Sequence, residues 1–257
     1  MILPSLDWVY LKILIRFKLG NNWFNFKQFT IRQEGAAMKV GTDSIILGSW
    51  VNVKNASKIL DIGTGTGILA IMMAQRSEAE IIAVESNKNA FLEAVFNVKS
   101  SPWNNRIRLV ESSFQNFAKA ELCAKSKYDL VISNPPYFNK SIQARTLDRT
   151  IARHTITLSS NDLLEGVLKL LKAKGRFCLI LPVTEGKQFI KDAEERGLHC
   201  IRILHLRTTK SQSVKRLVME FSPEIRKIEK QELTIRKEDQ DYTFEYKNLT
   251  KEFYQFL

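Results

Sequence analysis

The sequence has little cysteine, little histidine and no long apolar run. Cysteine occurs three times in 257 residues, at Cys123, Cys178 and Cys200. The three are odd in number and far apart, which excludes a disulfide framework and makes a reducing compartment the default. Cys178, inside the apolar run Phe177–Leu181, reads as a small buried hydrophobe. Histidine also occurs three times. No pair of Cys or His has the short spacing of a metal site, so no metal is expected. The most apolar stretch, residues 2–19, is interrupted by Asp7, Lys12, Arg16 and Lys18. That is too much charge to cross a bilayer. The stretch also lacks the basic start and small-residue cleavage site of a secretory signal. A cytoplasmic protein with no membrane span is expected.

Negative charge is scarce as well. Asp and Glu total 27 against 39 Lys and Arg, a formal charge of +12. An excess of this size points to a polyanionic partner, with nucleic acid ahead of a membrane surface. Apolar residues make up 44% and charged residues 26%, which excludes a disordered or fibrous chain. The length suits one large α/β domain with small appendages.

From Lys58 onward, short apolar runs alternate with longer amphipathic ones. Strands are expected at 58–62, 80–85, 106–111, 128–133 and 176–181. Helices are expected at 68–76, 87–99, 114–124, 162–171 and 184–196, with Asn87 capping the second. A long loop runs from 134 to about 159, and Gly175 marks the end of the fourth helix. Residues 200–206 and 215–221 are strand-like with no room for a helix between them, so they form an antiparallel hairpin at one sheet edge. Five βα units and a closing hairpin make a doubly wound, mostly parallel α/β sheet of seven strands. Four segments follow: an extension at 1–22, a covering segment at 23–57, the main domain at 58–222, and an aromatic appendage at 223–257 that packs on it. The abundance of aromatics in that tail disfavours disorder.

Asp61-Ile-Gly63-Thr-Gly65-Thr-Gly67 joins the first strand to the first helix. Glycines let the backbone turn sharply and let a ligand approach the main chain, and the helix start behind them offers free N–H groups. Glu85 closes the second strand, where a carboxylate accepts bonds from ribose hydroxyls. Asp61 would repel phosphate and attract an ammonium. S-adenosylmethionine carries ribose, a sulfonium and an ammonium but no phosphate, so it fits better than a dinucleotide. Ser113 and Phe114, after the third strand, are the expected adenine contacts. A purely structural glycine turn is the competing reading, and the register of strand, helix and Glu85 disfavours it.

After the fourth strand comes Asn134-Pro135-Pro136-Tyr137-Phe138. Ligands of doubly wound sheets bind at the carboxyl ends of strands, and two prolines stiffen this turn. The Asn134 amide oxygen and the Pro135 carbonyl can both accept from one planar –NH2 group, and Tyr137 offers a flat face. The chemistry is positioning and electrostatics at an exocyclic amine rather than strong-base catalysis.

These motifs resemble class I S-adenosylmethionine-dependent methyltransferases acting on amino nitrogens, whose fold is Rossmann-like. Phe26–Gln33, Met38–Asp43, Leu47–Trp50, Ala152–His154 and the aromatic tail narrow the resemblance to the bacterial tRNA1(Val) adenine-N6-methyltransferases. The resemblance implies methylation of adenine 37 in the anticodon loop of a valine tRNA. It also implies that the segment before the first strand covers the cofactor, which adds Lys39, Thr42 and Asp43 to the cofactor set of Asp61, Gly63, Gly65, Gly67, Glu85, Ser113 and Phe114. Thr42 or Asp43 capping a helix at 45–50 is a compatible reading. Ser44 departs from the family pattern, where glycine is expected.

Asn134, Pro135 and Tyr137 are the candidate catalytic residues. Pro136, Phe138, Lys140, Arg145, Arg149 and Arg153 are candidates for holding RNA, with Arg207, Lys210, Lys215 and Arg216 near the hairpin tracking phosphates. His154 could orient the loop, and His199 and His205 read as structural. A monomer with a tRNA partner is expected. The same turn would serve methylation of a protein glutamine or of guanine N2 in rRNA, and a non-catalytic RNA-binding module is a third class. The basic loop and the covering segment favour tRNA.

Overall fold

The computed structural model describes residues 22–34, 39–125, 127–136 and 158–255. In chain order its elements are β1 (Trp23–Asn25), β2 (Thr30–Arg32), α1 (Thr42–Trp50), β3 (Lys58–Ile62), α2 (Ile68–Arg76) and β4 (Glu80–Glu85). Then come α3 (Lys88–Lys99), β5 (Ile107–Glu111), α4 (Phe114–Cys123), β6 (Tyr128–Ser133), α5 (Ser160–Leu170) and β7 (Leu171–Pro182). The last are α6 (Val183–Glu194), β8 (His199–Arg207), β9 (Arg216–Ser222), β10 (Glu229–Thr234) and α7 (Phe244–Thr250).

β1 and β2 form a small antiparallel ribbon, and β3 to β10 form one sheet in the order β10-β8-β9-β7-β6-β3-β4-β5. The five strands β7, β6, β3, β4 and β5 are parallel. β9 runs antiparallel to both β7 and β8. The seven expected strands are therefore all present, with an eighth beside them. β10 pairs parallel to β8 and takes the edge, so the β8–β9 hairpin is internal rather than terminal. The physical reason β10 escapes sequence reading is its polarity: of its six residues only Leu233 is buried. An edge strand with one solvated face tolerates charged side chains.

A second correction concerns residues 171–175. The helix expected to continue to Leu171 stops at Leu170, and β7 begins at once. Lys172 looks loop-like but ion-pairs with Asp129 at 2.8 Å across β6. Gly175 is not a helix cap. A side chain there would press on Leu171 and come within 2.9 Å of the Tyr128 carbonyl, so glycine permits close strand approach where the register shifts between Tyr128 and Leu130.

Each face of the sheet carries its own core, because neighbouring residues of a strand point to opposite sides. Ile59, Ile81 and Leu130 pack with α1 and α2 on one face. Leu60, Ile82 and Val131 pack with α4, α5 and α6 on the other. The tail closes the first core: Tyr246 and Phe253 are almost fully buried in it. Phe24, Phe26 and Tyr254 cluster there, and the Lys27 N–H donates to the Phe253 carbonyl at 2.8 Å. None of the helices among the described residues is long and apolar enough to cross a membrane.

Candidate active site

The sheet order changes direction between β3 and β6. From β3 the chain moves outward through β4 and β5, and from β6 it moves the other way through β7. The carboxyl ends of β3 and β6 therefore lie side by side at the switch point, where open α/β sheets bind ligands. Ile62 faces Ser133 across the ladder, and the Ser133 hydroxyl donates to the Ile62 carbonyl at 2.9 Å. The glycine turn after β3 and the Asn134 turn after β6 are brought together by this register alone.

Between them opens a cleft of about 340 Å³, lined by Lys39–Ser44, Gly63–Thr66, Ile68, Leu69 and Asn134–Pro136. That volume suits a nucleoside-sized ligand. Gly63 and Gly65 hold φ of +70° and +58°, and a Cβ built on either meets nothing within 4 Å. The left-handed backbone makes them glycines, and the open space leaves the main chain accessible to a ligand.

Asp61 lies behind this turn and is fully buried. One carboxylate oxygen accepts from the Thr64 hydroxyl at 2.5 Å, while the other has no hydrogen-bond partner among the described residues. Burial pushes its pKa up to about 7; the bonds from Thr64 and the Ala70 backbone oppose the rise, and the charge of Glu85 adds to it. Glu85 is held by two backbone N–H groups, from Gly65 at 2.9 Å and Asn87 at 2.8 Å. Each of its oxygens keeps a further lone pair for a ligand hydroxyl.

The covering segment is pinned to this turn. Asn97 of α3 accepts from the Arg32 N–H and donates to the carbonyls of Arg32 and Thr66, all at 2.8–2.9 Å. Arg32 pairs with Glu93 at 2.9 Å. The Val40 N–H donates to the Gln33 side chain at 2.7 Å. At the other end, α1 starts at Thr42 on Gly41, which offers no side-chain cap. Thr42 and Asp43 thus sit in the first turn facing the cleft rather than capping a later helix. Arg216 of β9 holds Asp43 at 3.0 Å, and Ser44 accepts a hydrogen bond of 2.8 Å from the Asn134 side-chain nitrogen.

Of the residues expected at the site, Lys39, Thr42, Asp43, Gly63, Gly65, Asn134, Pro135 and Pro136 line one cleft. Asp61, Glu85 and Gly67 support it from behind, Gly67 as the left-handed residue that starts α2. Ser113 and Phe114 do not line it. Ser113 caps α4, and Phe114 is buried in the second core against Gly166. Tyr137, Phe138, Lys140, Arg145, Arg149, Arg153 and His154 lie outside the described residues. Near the hairpin, Arg207 pairs with Glu232 of β10, and Arg216 with Asp43. Lys210 and Lys215 are exposed. His205 contacts the Gln231 carbonyl. Sequence reading missed Gln33, Thr64, Thr66 and Asn97. The two threonines could have been found as neighbours of the glycines, whereas nothing marks Asn97 along the chain.

The doubly wound sheet, the glycine turn at its switch point and the Asn134 turn beside it define an S-adenosylmethionine-dependent methyltransferase. A family model, the methyltransferase small domain, matches residues 36–176. The sequence is 44% identical over 239 residues to the tRNA1(Val) (adenine(37)-N6)-methyltransferase of Trichodesmium erythraeum, covering 92% of this chain and 99% of that one. It is 42% identical to the enzyme of the same name from Histophilus somni, covering 90% and 96%. The fold also matches a solved structure described as a predicted O-methyltransferase from Agrobacterium tumefaciens, with a TM-score of 0.64, 18% identity and coverage of 82% and 96%. The chain belongs to the tRNA1(Val) (adenine(37)-N6)-methyltransferase family.

Proposed function

We propose that this protein transfers a methyl group to N6 of adenine 37 in the anticodon loop of a valine tRNA, acting as a cytoplasmic monomer. In this reading residues 23–57 cover the cofactor, 58–222 carry the catalytic machinery and 223–257 buttress the covering segment. The observation that carries the reading is the adjacency of the Asn134 turn to the glycine turn across one cleft.

The residues fit S-adenosylmethionine. Asp61 has a buried carboxylate oxygen without a partner among the described residues, suited to an ammonium. Glu85 has acceptor capacity for ribose hydroxyls, and the space over Gly63 and Gly65 is open. Bound there, the cofactor supplies a methyl group on a positively charged sulfur.

The protein's part is positioning. The Asn134 side-chain oxygen and the Pro135 carbonyl accept the two N–H bonds of the adenine amine. Both acceptors draw the amine lone pair out of conjugation with the ring and aim it into the cleft. No strong base is required before attack, since the proton leaves after the new N–C bond forms. Tyr137, outside the described residues, is the side chain this reading assigns to stack on the base, a contact worth about 1–3 kcal/mol. Adenine 37 is in a loop, so bringing it into the cleft costs less than extracting a base from a duplex.

The test is incubation with labelled S-adenosylmethionine and either total tRNA, rRNA or release factor, followed by nucleoside mass spectrometry. Label in N6-methyladenine of one valine tRNA supports the reading, and label confined to protein or to guanine overturns it. Asn134→Ala should reduce turnover on the order of 10²-fold or more, the scale of losing a preorganised transition-state contact. Its cofactor affinity should stay near wild type. Turnover within a few-fold of wild type would remove Asn134 from the mechanism.

A further inference from the structure

We propose that Ser44 is a positioning residue for the methyl transfer, which it serves by tethering the Asn134 side chain in the cleft. The inference rests on the role given to Asn134 above. An asparagine side chain has a donor end and an acceptor end, and only the acceptor end can receive an amine N–H. The amide must therefore be held where its oxygen reaches the substrate amine. The two prolines that follow stiffen the backbone of the turn but do not hold the Asn134 side chain in place.

The Ser44 hydroxyl does. It lies 2.8 Å from the Asn134 side-chain nitrogen and accepts its hydrogen bond. Ser44 belongs to the first turn of α1, 90 residues away in sequence, and lines the same cleft as Asn134. Among the described residues this is the one side-chain hydrogen bond that Asn134 makes, and none of them bonds its oxygen. The hydroxyl is itself held in place, since the next residue towards the N-terminus, Asp43, is tied by Arg216 to β9. An anchored helix turn therefore holds in place an amide on a neighbouring loop. Orientation fixed before substrate arrives lowers the cost of reaching the transition state.

The inference predicts a change in turnover rather than in binding. Ser44→Ala removes the acceptor, and Ser44→Cys keeps nearly the same volume with a much weaker one. Both should lower kcat by roughly 3- to 10-fold, the scale of one neutral hydrogen bond. The KM values for S-adenosylmethionine and tRNA should stay within about two-fold and the thermal midpoint near wild type. Ser44→Thr, which keeps the hydroxyl, should recover most of the rate. Adding Ser44→Ala to Asn134→Ala should cause no further loss, because the two residues act through one contact. An unchanged or raised kcat in Ser44→Ala overturns the proposal, and so does an additive loss in the double variant. If Asn134→Ala keeps its turnover, the reading of the site fails first and takes this proposal with it. If Asn134→Ala is inactive while Ser44→Ala is normal, only the role of Ser44 fails.

Discussion

At Asp61 the fold holds a carboxyl group near pKa 7, because burial disfavours its charged form. In the unfolded chain the same group titrates near 3.8. Between those values the folded protein binds more protons than the unfolded one, so this group's contribution to stability falls as pH rises from about 4 to about 7, then stays flat. Asp61→Asn should lack that decline, and its thermal midpoint should gain on wild type by several degrees across that window. Comparing melting curves of the two proteins at a series of pH values checks this. A cation bound beside the carboxylate reverses the preference. Cofactor affinity should therefore rise between pH 6 and pH 7, with proton release on binding. Calorimetry in two buffers of different ionisation enthalpy would measure the proton, and Asp61→Asn should abolish its release. Asp61, the glycines and Asn134 were legible because each motif is contiguous and follows a readable strand. Ser44 was legible only as a departure from pattern. Its partner is Asn134, and no local rule links positions so far apart in the chain.

Among elements, β3, β4 and β6 were read with their bounds unchanged, since each is a mainly apolar run buried on both faces. β10 was not, because its polar face is solvated, and the three-residue strands β1 and β2 are too short to show alternation. The role of α3 was equally hidden. Asn97 projects from it to tie β2 to the glycine turn, so one amide connects the covering segment to the ligand cradle. Asn97→Leu would leave one backbone N–H without its acceptor and two carbonyls without their donor. The expected loss is about 2–3 kcal/mol of stability, the scale of stranding buried polar groups. Weaker cofactor binding should accompany it, because β2 and the turn no longer move together. Urea unfolding and calorimetry on the same variant would test both, and a normal cofactor affinity would dissociate the covering segment from the site.

At the scale of the molecule, the +12 charge is unevenly available. Arg207 and Arg216 are neutralised by Glu232 and Asp43, whereas Lys210 and Lys215 are exposed with no carboxylate partner among the described residues. If these lysines contact tRNA phosphates, Lys210→Ala and Lys215→Ala should each reduce the slope of log affinity against log salt by about 0.7–0.9. Arg207→Ala should change it much less. Titrations at three or more salt concentrations measure the slopes, and equal slopes for all three variants would place the RNA elsewhere. Net charge was readable from composition, but which cations remain available depends on tertiary pairing with Asp43 of α1 and Glu232 of β10.

The Lys27 N–H bonded to the Phe253 carbonyl also has a consequence for biosynthesis. A ribosome makes residues 23–34 long before residues 243–255. The aromatic cluster that seats Phe24 and Phe26 has no Tyr254 until that later segment is made. A nascent chain can pair β3, β4 and β6 long before then. The covering segment acquires its full support only as residues 243–255 emerge. Translation that stops short of Phe253 should therefore yield a folded sheet with an unsupported cover, which protease would cut first near the β1–β2 ribbon.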